Sequence, residues 1–164
     1  MAVKFRVGTA QECLKVIGCR SLESASPTIK NLWENLQSGN AEFWTVENDE
    51  HHLIGELYIF HRLDDEDFAN GKDRAYLCAF RIKKMWRGQG LGTGLITAVI
   101  EHLRETGCKT VTIGVDENEP DNQRLYHRLG FTQKIKDCRA DPCDVDKNGK
   151  PLECPCFWLL SKSL

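Results

Sequence analysis

Short segments of alternating or β-branched apolar residues recur along the chain and predict β-strands. Each segment is bounded by polar or glycine-containing turns, which is typical of strands in a half-buried sheet. The predicted strands are 3–7, 43–46, 53–60, 76–82, 110–115, 131–135 and 157–160. Several neighbouring strands have no helix between them, so those pairs are expected to be antiparallel.

Helical periodicity fills the stretches between these strands. Thr9 followed by Glu12 is a capping box, and Ser26 before a proline is a second helix-start signal. A third helix carries one apolar face and ends at Gly107, and a short fourth covers about 120–129. The order β-α-α-β-β-β-α-β-α-β-β predicts an α/β (α+β) fold. Its sheet is mixed and mostly antiparallel, with about seven strands and helices on both faces.

Composition narrows the function classes. The chain has 164 residues, a net charge of −2 and eight cysteines. The length predicts a single domain over 1–164. The charge balance argues against general nucleic-acid binding, and no apolar run is long enough for a membrane span. The first residues lack the core of a signal peptide, so we expect a cytoplasmic protein with reduced thiols.

The segment RGQGLG at 87–92 carries the clearest chemical signal. Alternating glycines let the backbone approach a ligand, and the helix that follows begins with unpaired N–H groups and a partial positive charge. This combination predicts a phosphate or pyrophosphate site. The spacing fits neither a Rossmann fingerprint nor a Walker loop. The alternative is a flexible turn between a strand and a helix.

The residues around this loop identify a family. The segment IKKMWRGQGLG at 82–92 resembles the acetyl-CoA signature of the GNAT superfamily of N-acetyltransferases, Q/R-x-x-G-x-G/A. Arg87, Gly90 and Gly92 fall on its fixed positions. The segment LYHRLGF at 125–131 resembles the family's second motif, L-Y-x-x-x-G-F. The resemblance spans nearly the whole chain and implies a GNAT fold that uses acetyl-CoA as co-substrate, with no metal.

The resemblance also implies where acetyl-CoA binds. In family members it lies in a V-shaped gap between two parallel strands, here 76–82 and 110–115. Loop amides hold the pyrophosphate and the first strand bonds the pantetheine arm, where one N–H could act as an oxyanion hole. The implied cofactor-binding residues are Phe80, Arg81, Ile82, Arg87, Gly88, Gln89, Gly90, Leu91, Gly92, Thr93, Asn118 and Asn122.

Candidate catalytic residues follow from the chemistry of an amine acceptor. An alkyl amine has a pKa of ~10.4 and is protonated at pH 7, so it must lose a proton before it attacks. A carboxylate acting through water could take that proton, and the candidates are Glu56, Asp116 and Glu117. The resemblance implies that Tyr126 protonates the leaving CoA thiolate. The alternatives are solvated surface charges and a core-facing tyrosine.

Two further features remain open. Cys138, Cys143, Cys154 and Cys156 could hold zinc, but they lack C-x-x-C pairs, so we expect a hairpin whose two arms carry cysteines. The acidic run 64–67 is either a solvated loop tip or an attractor for a cationic acceptor.

The predicted function is acetyl transfer from acetyl-CoA to a primary amine, by direct attack in a ternary complex. The alternatives are a CoA-binding or partner-binding module without catalysis and a zinc-stabilised interaction domain. The resemblance implies that roughly 20–40 and 136–156 shape the acceptor site, and neither carries a pattern that names the acceptor. Many family members pair through edge or C-terminal strands, so a homodimer is a candidate assembly.

Overall fold

A seven-stranded sheet forms the centre of the computed structural model, which describes residues 2–164. The strands are Val3–Gly8 (β1), Ala41–Asn48 (β2), Leu53–Phe60 (β3), Arg74–Ile82 (β4), Thr110–Asp116 (β5), Gln133–Val145 (β6) and Pro151–Ser163 (β7). The helices are Ala10–Ile17 (α1), Pro27–Ser38 (α2), Leu91–Glu105 (α3) and Pro120–Arg128 (α4), with a 3₁₀ turn at Lys84–Trp86.

The strands lie in the order β1-β2-β3-β4-β5-β7-β6. Strands β4 and β5 are parallel, and the other neighbouring pairs within residues 2–164 are antiparallel. The predicted element order and mixed sheet are therefore confirmed. Within the same residues, no helix is long and apolar enough to cross a membrane.

The first two helices begin where their capping signals predict. The Thr9 hydroxyl accepts from the Glu12 amide at 3.1 Å, and the Glu12 carboxylate accepts from the Thr9 amide at 2.9 Å. At α2, the Ser26 hydroxyl accepts from the Ile29 amide at 3.2 Å. These bonds satisfy N–H groups that a helix start otherwise leaves unpaired.

Each face of the sheet buries a hydrophobic cluster. On one face, α3 contributes the buried Leu95, Ile96 and Val99. On the other, Phe43 and Phe60 pack with residues of α1 and α2. The central strands are thus packed on both faces, and this packing positions the β4–β5 pair.

The last two strands are much longer than predicted, and the prediction 131–135 and 157–160 is wrong in its bounds. Pro142 looks like a strand breaker in the sequence because proline lacks an N–H. In the structure it lies on strand β6, at one edge of the sheet, inside a register shift between Asp141 and Val145. Proline is tolerated at such edge and bulge positions.

The long β6–β7 hairpin reaches across to α2. The Thr28 hydroxyl donates to Asp144 at 2.5 Å and accepts from the Val145 amide at 3.0 Å. These bonds attach the hairpin end to the helical face of the domain.

An ion-pair network joins the first elements of the chain and leads to a stability prediction. Arg6 bonds Glu12 at 2.8 Å and Glu47 at 2.5 Å. The Arg6 hydrogen bond lowers the pKa of Glu12 from 4.5 to about 2. A lowered carboxyl pKa stabilises the fold above pH 4.5, and this contribution is lost as the pH falls towards 2.

We expect Glu12→Gln to lower the free energy of unfolding by about 1 kcal/mol at pH 7, because it removes the ion pair but keeps the capping oxygen. Urea unfolding at pH 7 and pH 3 measures the effect. The difference in unfolding free energy between Glu12→Gln and wild type should be smaller at pH 3 than at pH 7. Glu101→Gln, which breaks the exposed pair with Arg104, is the matched control. An undiminished difference at pH 3 would contradict the assignment.

Candidate active site

Two positions of the glycine-rich loop at the start of α3 require glycine. Gly90 is the residue before the helix and has φ +78°, a left-handed conformation that side chains with a Cβ rarely adopt. Gly92 lies against β4, where an added Cβ would come within 2.8 Å of the Phe80 ring. The loop therefore needs one glycine for its conformation and another for close packing.

The start of α3 offers free backbone donors. Within residues 2–164, no side chain caps this helix. The first intrahelical bond runs from the Gly94 amide to the Gly90 carbonyl at 3.0 Å. The amides of the first three helical residues, Leu91 to Thr93, thus have no intrahelical acceptor, and they lie at the positive end of the helix dipole.

A cavity of about 510 Å³ lies at this helix start. It is lined by Phe80, Arg81, Ile82, Trp86, Arg87, Gly88, Gly90, Leu91, Gly92, Thr93, Asn122, Leu125 and Tyr126. The structure therefore brings together ten of the predicted cofactor-binding residues. The other two, Gln89 and Asn118, are not among the described residues that line this cavity.

The two candidate asparagines differ in position. The Asn122 amide donates to the Glu119 carboxylate and borders the cavity. The Asn118 side chain is exposed, and its backbone amide donates to Asp116 at 2.8 Å. Arg87 points its Nε to the Ile82 carbonyl at 2.8 Å, which joins the loop to the end of β4.

Strands β4 and β5 separate part-way along their length. Their pairing runs from Arg74 opposite Thr110 to Leu77 opposite Ile113. Beyond that point β4 continues beside β3, while β5 continues beside β7. The β4 backbone beyond Leu77 therefore has an open edge on the β5 side, where an extended ligand arm could bond.

A strained bulge lies on this open edge. Between the pairs Tyr58–Cys78 and Glu56–Arg81 the β3–β4 register shifts, and Ala79 has φ +52°. Such a conformation costs about 1–3 kcal/mol in a residue other than glycine, and strained residues cluster at functional sites. The bulge turns the β4 backbone at the point where the gap opens.

Tyr126 lies where two cavities meet. Its side chain is 5% exposed on α4, and its ring centroid is 6.5 Å from that of Phe80 and 6.2 Å from that of Phe131. It borders the cavity at the start of α3 and also a smaller one of about 160 Å³. No hydrogen bond from the rest of the described chain reaches its hydroxyl. Burial raises the pKa of Tyr126 to about 12, so the hydroxyl stays protonated at neutral pH.

The smaller cavity lies in the gap between β4 and β5, under the β6–β7 hairpin. It is lined by Tyr76, Leu77, Cys78, Ala79, Phe80, Ile113, Gly114, Asp116, Tyr126, Asp141 and Phe157. Its described lining contains two carboxylates and neither lysine nor arginine. This second cavity is distinctly anionic.

Asp141 was missed by the sequence analysis. Its carboxylate accepts from the Cys143 amide at 2.9 Å, and burial raises its pKa above the ordinary value. The residue falls in 136–156, where no periodic pattern indicated a pocket. Register shifts of β6 between Cys138 and Ala140 and between Asp141 and Val145 break the simple alternation from which its face could have been predicted.

The three predicted carboxylates are not brought together. Asp116 borders the smaller cavity with Tyr126. Glu117 is exposed and, within residues 2–164, contributes to neither of these two cavities. Glu56 is buried on β3, where it accepts from the Tyr58 hydroxyl at 2.9 Å and pairs with Arg81 at 2.7 Å.

Glu56 belongs to a separate, strongly basic cavity. It is lined by Val16, Gly55, Glu56, Arg81, Lys83, Lys84 and Arg87. Four cationic side chains accompany the single carboxylate. This surface suits an anion better than a protonated amine.

The C-terminal cysteines lie on the two arms of the hairpin. Cys138 and Cys143 are on β6, and Cys154 and Cys156 are on β7. In the part of the chain that the structure describes, no three histidine, cysteine or acidic side chains are grouped closely enough for a metal ion.

The acidic run 64–67 is partly engaged in ion pairs. Lys136 bonds Asp65 at 2.6 Å and Asp67 at 3.0 Å. These contacts join the β3–β4 connection to strand β6, so part of the negative charge is neutralised within the fold.

Comparisons with known proteins agree with this geometry. A model of the acetyltransferase (GNAT) family matches residues 15–131. A probable spermine N(1)-acetyltransferase of Bacillus subtilis subsp. natto is 43% identical over 68 residues. That match covers 41% of this chain and 43% of the relative, so the chain spans less than half of the relative's length.

Solved structures share the fold at low identity. A GNAT family acetyltransferase from Elizabethkingia anophelis with acetyl-CoA bound has a TM-score of 0.66 and 18% identity, covering 99% of this chain and 98% of that one. Arabidopsis thaliana NAA60 in complex with a bisubstrate analogue has a TM-score of 0.69 and 17% identity, over 99% and 98% of the two chains.

Proposed function

Because the chain belongs to the GNAT acetyltransferase family, we propose that it transfers an acetyl group from acetyl-CoA to a primary amine. The proposed route is direct attack within a ternary complex, and residues 1–164 act as a single domain. The observation that carries this proposal is Tyr126, which borders both cavities. A proton donor at their junction is suited to a reaction between a donor in one cavity and an acceptor in the other.

The larger cavity fits acetyl-CoA. The free amides from Leu91 to Thr93 would bind the pyrophosphate, with Arg87 nearby as a source of positive charge. The open edge of β4 beyond Leu77 would bond the pantetheine arm as an added strand does. The acetyl-CoA bound to the E. anophelis relative supports this assignment.

Tyr126 is the proposed general acid. When the amine nitrogen bonds to the acyl carbon, the C–S bond breaks and the sulfur requires a proton. The Tyr126 hydroxyl donates that proton and recovers one from the nitrogen, directly or through water, so no charge accumulates on the enzyme. Of the three predicted bases, we retain Asp116 as a candidate because it shares a cavity with Tyr126.

A mass-spectrometric screen tests the function. Purified protein is incubated with acetyl-CoA and a panel of polyamines, aminoglycosides, amino acids and N-terminal peptides. Spermine is first, since a relative is named for it. We expect an acetylated product in proportion to the CoA released. Acetyl-CoA binding by calorimetry without any acetylated product would favour the alternative, a binding module without catalysis.

The cytoplasmic location and the homodimer stay predictions. Light scattering after gel filtration measures the oligomeric state directly, and a monomeric mass would contradict the predicted homodimer.

A further inference from the structure

We infer that Asp141 contacts the amino group of the acceptor and takes its proton, and that the acceptor enters the smaller cavity as a cationic alkylamine. This inference rests on the proposed acetyl transfer. It adds a residue that neither the sequence motifs nor the names of the relatives supply, and a cavity that would hold a cationic acceptor.

The β6–β7 hairpin places Asp141 at the smaller cavity, in the gap between β4 and β5. Asp141 lies on β6 opposite Leu152 of β7, and the hairpin end is attached to α2 through Thr28. The carboxylate thereby borders the same cavity as the Ala79 bulge and Tyr126. An amine bound there would lie between this carboxylate and the proposed general acid.

The surroundings of Asp141 leave its charge without a cationic partner. The groups facing it are Asp144 and Cys143 from β6, Tyr76 and Cys78 from β4, Cys154 from β7, Asp116 from β5 and Tyr126 from α4. Within residues 2–164 no ion pair includes Asp141.

Asp141 is partly buried, so its carboxylate has lost some of its hydration without gaining a cationic partner, and an incoming ammonium group would offset that cost. The contrast with Glu56 is instructive, because Arg81 already pairs with that carboxylate and two lysines line its cavity. An ammonium ion is therefore attracted to the Asp141 cavity and repelled by the basic one.

The size of the cavity restricts what it can enclose. Its volume of about 160 Å³ is similar to that of a protein cavity that holds one benzene molecule. It can therefore surround the amine-bearing end of an aliphatic chain while the rest of the acceptor stays outside. The aromatic rings of Tyr76 and Phe157 on its wall are suited to contact with a cationic alkyl group.

The proposed proton transfer runs from the ammonium group of the acceptor to the Asp141 carboxylate. An N–H bond of the ammonium group breaks and an O–H bond forms on Asp141, which frees the nitrogen lone pair for attack on the acyl carbon. Burial, which raises the pKa of Asp141, makes it a stronger proton acceptor than a solvated aspartate. Asp141 then releases the proton to solvent before the next turnover.

Asp141→Asn tests the inference with little change of shape. Asparagine keeps an oxygen to accept from the Cys143 amide and removes the charge. Calorimetric titration of the CoA-saturated protein with n-butylamine and with spermine measures binding. We expect the variant to bind each amine about 10-fold or more weakly than wild type, since hydrogen bonds to charged groups are the stronger ones. The matched control is Asp137→Asn, which removes an exposed charge from the same strand and should bind as wild type does.

Three results would overturn the inference: equal affinities for wild type and Asp141→Asn, no measurable amine binding by wild type, or a loss confined to Asp116→Asn. If the variant fails to fold by thermal unfolding, wild type is titrated with n-butylamine and n-butanol, and equal affinities overturn it. The mass-spectrometric assay separates the two proposals. Asp141-dependent amine binding without product would reject acetyl transfer, whereas equal turnover by wild type and variant would reject only the role of Asp141.

Discussion

Tyr126→Phe is expected to lower kcat for acetyl transfer by about 100-fold or more, because general acid catalysis contributes roughly 10²–10⁴-fold. Without the hydroxyl, the sulfur must leave as a thiolate or take its proton from water. The affinity for acetyl-CoA is expected to be unchanged, since the hydroxyl acts when the C–S bond breaks. Steady-state rates by mass spectrometry and acetyl-CoA titration by calorimetry measure the two quantities.

The surroundings of Tyr126 make this variant a clean test. The described residues form no hydrogen bond to the hydroxyl, so its removal leaves no partner unsatisfied. Phenylalanine keeps the ring contacts with Phe80 and Phe131. The free energy of unfolding should therefore stay at or above that of wild type, and a loss of rate cannot be assigned to a loss of folding.

Kinetic constants distinguish a proton donor from a packing residue. A group that acts only in the transition state lowers kcat and kcat/KM together and leaves KM in place. Phe131→Leu is the control, because it disturbs the ring next to Tyr126 but keeps the hydroxyl. This variant should lower the free energy of unfolding while its kcat falls much less than that of Tyr126→Phe. An unchanged kcat in Tyr126→Phe would remove this residue from the mechanism.

Local signals in the sequence predicted most of the fold. The capping residues Thr9 and Ser26 open α1 and α2 as expected, because a cap depends on contacts within one turn of helix. The loop at 87–92 was also recognisable, since its glycines are required by the backbone itself. Such features need no knowledge of distant residues.

Long-range packing determined what the sequence did not reveal. The length of β6 depends on pairing with β7 across register shifts, so Pro142 could not be interpreted from its neighbours alone. The burial of Glu56 and its pairing with Arg81 arise from two adjacent strands. The smaller cavity collects side chains from four strands and one helix, and a carboxylate such as Asp141 becomes a candidate only when those walls are assembled.

Gly90→Val is expected to weaken CoA binding by about 10-fold or more. The position has φ +78°, and for a residue with a Cβ the left-handed conformation costs roughly 1–2 kcal/mol. A β-branched side chain is especially disfavoured there, so the loop should change course before α3. The free amides from Leu91 to Thr93 would then no longer converge on one phosphate group.

Gly107→Val separates this effect from a general loss of stability. Gly107 has φ +89° and open space around its Cβ position, as Gly90 does, but it lies past the opposite end of α3. We expect both variants to lose a similar amount of unfolding free energy, whereas CoA affinity by calorimetry falls only in Gly90→Val. Equal affinities in the two variants would mean that the start of α3 does not hold the pyrophosphate. Because CoA lacks the acetyl group, this titration tests cofactor binding without any contribution from catalysis.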